Sequence, residues 1–208
     1  MAIEDGMAIV CSDLQAVGGT RYIAIREWVS TDTVVFTTSN SQHSIASIID
    51  TGGANASWGV YESRIESSSL TVSGTNEGKE FTTYECTLSF FVPGLTKSQF
   101  RKANDFGGKC LMVLVVDNND TTTAASVPPT SYLKNKVIGV SHTLENQDND
   151  SRTQQYARLV SIEGGTGAAF SDEIGITVTI AATQMEIPRN YTGSIVVDAD
   201  GTGLVTAA

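Results

Sequence analysis

Between Ile174 and Ala181, the apolar residues Ile174, Ile176, Val178 and Ile180 alternate strictly with Gly175, Thr177, Thr179 and Ala181. A period of two belongs to a β-strand with one face on a core, because successive side chains leave the pleat on opposite sides. A second extended run, 156–162, comes before it, and a Gly-rich acidic stretch, 164–173, lies between them. Two such runs joined by Gly, Ser and Asp read as neighbouring antiparallel strands. The segment holds no nucleophile–base pair, no ligand cluster and no phosphate loop, so it predicts surface and assembly rather than chemistry.

The same β signal runs through the composition. The 208 residues include 19 Gly and many Ser and Thr but few Leu, which favours strands and turns over a helical bundle. This length suits one domain, 1–208, with an N-terminal arm over 1–19 and a C-terminal tail over 199–208. Strand candidates fall at 21–29, 33–38, 57–66, 69–73, 79–92, 109–117, 136–144, 153–163, 175–183 and 194–198. In 79–92, Tyr84, Cys86, Leu88 and Phe90 face one way, and Glu85, Thr87 and Ser89 face the other.

One helix is expected, over 96–106. Thr96 and Gln99 form a T-x-x-Q capping box, and Leu95 can staple onto Phe100. Pro93-Gly94 breaks the preceding strand, and Gly107-Gly108 stands where a helix C-terminus wants glycine. Phe100, Ala103 and Phe106, three apart, predict a narrow apolar stripe for packing on a sheet. Trp28 and Trp58 are read as core or interface residues, core preferred. The segment 118–131 (NNDTTTAASVPPTS) is polar and Thr-rich, with too little apolar area to fold on its own core.

Thirteen basic against 23 acidic residues give a net charge of −10. Tight nucleic-acid binding needs phosphate-neutralising Lys and Arg, so this balance disfavours it. Cys11, Cys86 and Cys110 are odd in number and far apart, and read as reduced core thiols. The sequence shows no signal-peptide pattern and no apolar run of membrane-spanning length.

Chemical motifs fail on spacing. Gly164-Gly165-Thr166-Gly167 lacks the G-x-G-x-x-G pattern and the following helix of a dinucleotide loop. Asp117, Asp120, Asp148 and Asp150 lie in Asn-rich turns without the Gly and Glu of a calcium loop. His43 and His142 have no partner at metal or nucleophile spacing, and Ser131-x-x-Lys134 lacks its companion motifs. No catalytic, cofactor or metal residue is assigned, and no enzyme activity is expected.

The turn GGTGAAFSDEIG, the strand ITVTIAA and the closing PRNYTG resemble the C-terminal half of phage major tail proteins, the tail tube family. The likeness covers 155–193; elsewhere it extends only to an order of strands and one helix. It implies hexameric rings whose inner sheets join into a β-lined channel, with loops and arms linking ring to ring. The partners implied are other copies of the chain, other tail proteins of the virion, and DNA that passes without tight binding. The implied location is the virion tail, after synthesis in a host cytoplasm, with no membrane contact.

The expected fold is therefore mainly β: an antiparallel sandwich or half-open barrel with one flanking helix and extended arms or loops. An acidic or polar lumen is expected, lined by Glu85, Thr87 and Ser89, with Glu62, Arg64 and Glu66 as a second set. Asn118, Asn119, Asp120, Thr121, Thr122 and Thr123 are expected between subunits. The alternative is a β-sandwich binding or adhesion module, such as a head-decoration or host-attachment protein.

Overall fold

The computed structural model describes residues 19–28, 33–36, 44–49, 58–62, 67–76, 82–94, 96–117, 135–140, 155–166, 174–193, 196–197 and 204–205. They form a mainly β fold of two sheets and one short helix. The strands are β1 (Thr20–Glu27), β2 (Thr33–Phe36), β3 (Ser44–Ile49), β4 (Gly59–Glu62), β5 (Ser68–Thr75), β6 (Thr83–Pro93), β7 (Leu111–Asp117), β8 (Lys136–Ile138), β9 (Arg158–Gly165), β10 (Gly175–Gln184) and β11 (Arg189–Tyr191). A small ribbon, β12 (Val196–Val197) with β13 (Leu204–Val205), brings part of the expected tail back onto the chain.

Seven strands make one sheet in the order β2-β3-β11-β8-β7-β1-β4, and four make the other in the order β5-β6-β10-β9. The predicted β9–β10 pair is present and antiparallel, with Val178 opposite Ile162 and Thr179 opposite Ser161. Gly164 and Gly165, expected in the turn, extend β9 opposite Ile176 and Gly175. Every pairing in the two sheets is antiparallel except β11 with β3, which is parallel. Neither β3 nor β11 was among the sequence candidates; β11 is three residues long and its partners β3 and β8 are remote in the chain.

Alternation places the core. From the four-stranded sheet, Cys86, Leu88, Phe90, Ile176, Val178 and Ile180 meet Ile23, Ile25, Val113, Val115 and Ile138 of the seven-stranded sheet. The other face of the larger sheet is buried too, with Ala24, Ile45, Ile48, Trp58, Met112, Leu114 and Val116 in a second cluster. Strand β7, LMVLVV, sends odd residues to one cluster and even residues to the other, which is why it reads as a continuous apolar run. Trp58 is buried in the second cluster, and Trp28 is half-buried with its ring 5.7 Å from that of Tyr156.

Arg26 in β1 is only 2% exposed, on the face that Ala24 shares. Its neighbour Glu27 turns outward and pairs with Lys109 at 2.7 Å.

Helix α1 spans Lys97–Asn104. The Thr96 side chain accepts from the Gln99 amide at 3.3 Å, and Gln99 Oε1 accepts from the Thr96 amide at 2.8 Å, so the capping box is closed. Gln99 Nε2 also donates to the Pro93 carbonyl, tying the helix start to the end of β6. The predicted stripe is only partly right. Ala103 and Phe106 are buried, but Phe100 is 47% exposed. A step of three residues rotates about 60° on a helix, so the stripe drifts away from Phe100, and the helix ends at Asn104 with Asp105 as its C-cap, short of the expected 106.

Candidate functional site: a hydroxyl face with two strand edges

The face of the four-stranded sheet that points away from the core is a carpet of hydroxyls. Register aligns Ser69 with Ser89, Thr179 and Ser161 across all four strands. The next row is Thr71, Thr87, Ala181 and Arg158; the one beyond it is Ser73, Glu85 and Thr183. On the other side lie Phe91, Thr177 and Glu163. Several hydroxyls are anchored to the sheet, as when Thr71 Oγ1 donates to the Thr87 carbonyl at 3.2 Å.

Glu85, Thr87 and Ser89 are thus brought together as expected, with Glu85 exposed between Ser73 and Thr183. Glu62 lies elsewhere, on β4 at the edge of the seven-stranded sheet and opposite Tyr22. Arg64, Glu66 and the loop residues Asn118, Asn119, Asp120, Thr121, Thr122 and Thr123 lie outside the described residues, as do His43, His142, Asp120, Asp148 and Asp150. The strands β5, β9 and β10 were read from the sequence, but their residues on this face, such as Ser69, Ser161 and Thr179, were not among the expected lumen residues. The alternation of β5 and β9, SSLTVSGT and RLVSIEGG, is weak because an edge strand buries little on either face.

Charge on this face is sparse. Among its described residues there are two carboxylates, Glu85 and Glu163, and one guanidinium, Arg158. The Glu85 and Glu163 rows stand six residues apart along β6, or about 20 Å.

The two edges differ. Strand β5 has no charged residue and no proline over eight residues, and among the described residues no strand pairs with its outer side. An edge without charge or proline is one suited to accept another strand. The inward-facing Val72 of β5 is 42% exposed. Strand β9 carries Arg158 and Glu163, and a bulge leaves Val160 unpaired between Leu159 and Ser161. Val160 is 63% exposed and the inward-facing Ile162 36%.

Beside β5 is a recess of about 320 Å³ lined by Thr20, Leu70, Val72, Asp117, Lys136 and Ile187. Burial holds the Lys136 ammonium below its usual range, opposed by the Asp117 carboxylate, and its Nζ donates to Asn190 Oδ1. Two hydroxyls, Thr20 and Ser68, bond to each other at the junction of β1 and β5. The two sheets are also tied by Gln184, whose buried amide accepts from Gly139 N–H at 2.9 Å and donates to the Val140 carbonyl at 3.3 Å.

Among the described residues no three His, Cys, Asp or Glu gather as a metal site, and no helix is long and apolar enough to cross a membrane. Comparison of the chain with family models, with curated proteins and with solved structures finds no match.

Proposed function

We propose that the protein is a structural protein that assembles into rings and stacks as a tube, with the hydroxyl face of the four-stranded sheet turned to the lumen. The observation that carries this reading is the pair of edges. Antiparallel pairing throughout β5-β6-β10-β9 makes the first and last strands run in opposite directions. A copy generated by rotation about an axis along the sheet keeps its strand directions, so β9 of one subunit meets β5 of the next antiparallel. An even number of strands closes without a parallel seam. Such a junction also covers the half-exposed inward residues Val72 and Ile162 with each other's sheet.

Six copies would give a barrel of 24 strands. With about 4.8 Å between strands and a tilt near 40°, the barrel is about 50 Å across at the backbone and about 40 Å between side chains. That admits a DNA duplex with water around it. Small hydroxyls and one net negative charge per subunit let phosphates pass without being gripped, since duplex DNA needs clustered cations to bind. This is also the arrangement that the resemblance to phage major tail proteins implies, and it would put the protein in a virion tail beside other tail proteins.

A carbohydrate-binding module would also present a polar sheet face, but such a site needs aromatic platforms. The one aromatic residue in these rows, Phe91, is half-buried over Gly175. The test is negative-stain microscopy with sedimentation of the purified chain. Rings or tubes with a central bore are expected; a monomer at tens of micromolar over all salt concentrations overturns the reading.

A further inference from the structure

Helix α1 is basic in an acidic protein. Lys97, Arg101 and Lys102 are exposed and its eight residues hold no carboxylate, so this segment carries +3 and the rest of the chain −13. Arg101 and Lys102 lie in the last turn, where the helix macrodipole favours cations. Lys97 does not fit that account: it is the first helical residue, where a cation is disfavoured. Helix stability explains two of these charges and leaves the third.

Spacing places Lys97, Phe100 and Arg101 on one face, since residues three and four apart are neighbours. Phe100, which the rotation of the apolar stripe leaves 47% exposed, adds an apolar side chain to that face. Lys102 lines a groove of about 420 Å³ between the helix and β4, together with Trp58, Tyr61, Phe90, Val92 and Phe106. Tyr61 braces that lining, with its ring 5.5 Å from Phe106 and 6.0 Å from Phe90. One cation on an apolar groove, with Lys97, Arg101 and exposed Phe100 on the adjoining side of the helix, suits a partner surface that offers carboxylates beside apolar side chains.

From this complementarity we infer that the basic face of α1 docks onto a second copy of this acidic chain, a contact separate from the β5–β9 edges. It rests on the tube reading for the copies being held side by side or ring on ring. The charge balance selects the occupant: three cations on one helix face a molecule whose remaining charge is −13, while a second basic helix would be repelled.

The experiment uses the full chain, with Lys97, Arg101 and Lys102 all changed to Glu, all changed to Gln in a second variant, and Phe100→Ser in a third. Circular dichroism and thermal melting check the fold, and sedimentation from low to high salt measures assembly. The charge variants should need a roughly tenfold higher concentration to assemble, and high salt should weaken the wild type while barely affecting the Gln variant. Phe100→Ser should weaken assembly without adding salt dependence. Assembly of folded Glu and Gln variants at the wild-type concentration overturns this inference and leaves the tube reading standing. Retention of a short DNA duplex by the wild type but not by the Glu variant would make the occupant a polyanion and overturn it as well. A wild type that never assembles overturns both.

Discussion

The phenyl ring of Phe91 lies over the α-carbon of Gly175 on the adjacent strand. A methyl group built at Gly175 would stand 2.2 Å from Phe91 Cζ and 2.6 Å from the Val92 carbonyl oxygen. The ring covers backbone that a glycine would otherwise leave bare, at the end of the sheet where β10 begins. Gly175→Ala is therefore expected to destabilise the fold by about 1–3 kcal/mol, read from the midpoint of chemical denaturation. Removing the ring in Phe91→Ala should lower the cost of the alanine without abolishing it, because the Val92 carbonyl cannot swing aside. Additive losses in the double variant would show that the ring contact is unimportant.

Gln184 reaches 45 and 44 residues back along the chain, through its bonds to Gly139 and Val140. Gln184→Leu keeps the volume but leaves a buried N–H and a buried carbonyl without the amide. A loss of about 2–4 kcal/mol is expected, since each orphaned group costs its desolvation. Hydrogen exchange at Gly139 should accelerate in the variant, and unchanged protection there would refute the bridge.

Stability should fall at alkaline pH through two acids, the buried Cys86 and the half-buried Tyr61. Burial, helped by the Glu85 carboxylate, pushes the Cys86 thiol from 9.0 up to about 11. Burial, helped by Asp105, pushes the Tyr61 hydroxyl from 10.0 up to about 12. Between those limits the folded chain still holds a proton that the unfolded chain has lost, so this stability is intact below pH 9 and lost as pH rises. Cys86→Ala should flatten the part of the profile between pH 9 and 11. Mass-mapped alkylation should leave Cys86 unmodified in the native protein and modify it after unfolding.

The unprotected β5 edge gives a direct test of ring closure. Val72→Lys places a charge where a neighbouring β9 would lie, while the side chain, already 42% exposed, can reach water in the monomer. Assembly should disappear at tens of micromolar, with the melting temperature within about 3 °C of the wild type. Rings formed normally by this variant would move the interface away from β5.

Glu85→Lys tests the lumen. The residue is exposed between Ser73 and Thr183, so the fold should be unaffected. Assembled tubes of the variant should retain a short DNA duplex that wild-type tubes release, and added salt should free it, because phosphate contacts weaken as counterions compete. Equal release by both would mean that Glu85 does not face the bore.

Alternation in 174–181 and 79–92, the capping box of Thr96 and Gln99 and the break at Pro93-Gly94 were legible in the sequence, because a pleat or a helix start is settled by residues a few positions apart; the helix end was not, since Asp105 caps it before Gly107-Gly108. That legibility covered Glu85, Thr87 and Ser89, whose side of β6 follows from Cys86, Leu88 and Phe90 alone. Tertiary structure decided the rest. The second buried face of β7, the burial of Arg26, the exposure of Phe100 and the parallel β3–β11 pair depend on what is stacked or paired from distant parts of the chain. So does the hydroxyl face itself, since Ser69, Ser89, Thr179 and Ser161 become one row only when four strands take a common register. A strand's sequence fixes which residues share a side; only the neighbour on that side determines whether it is core, solvent or interface.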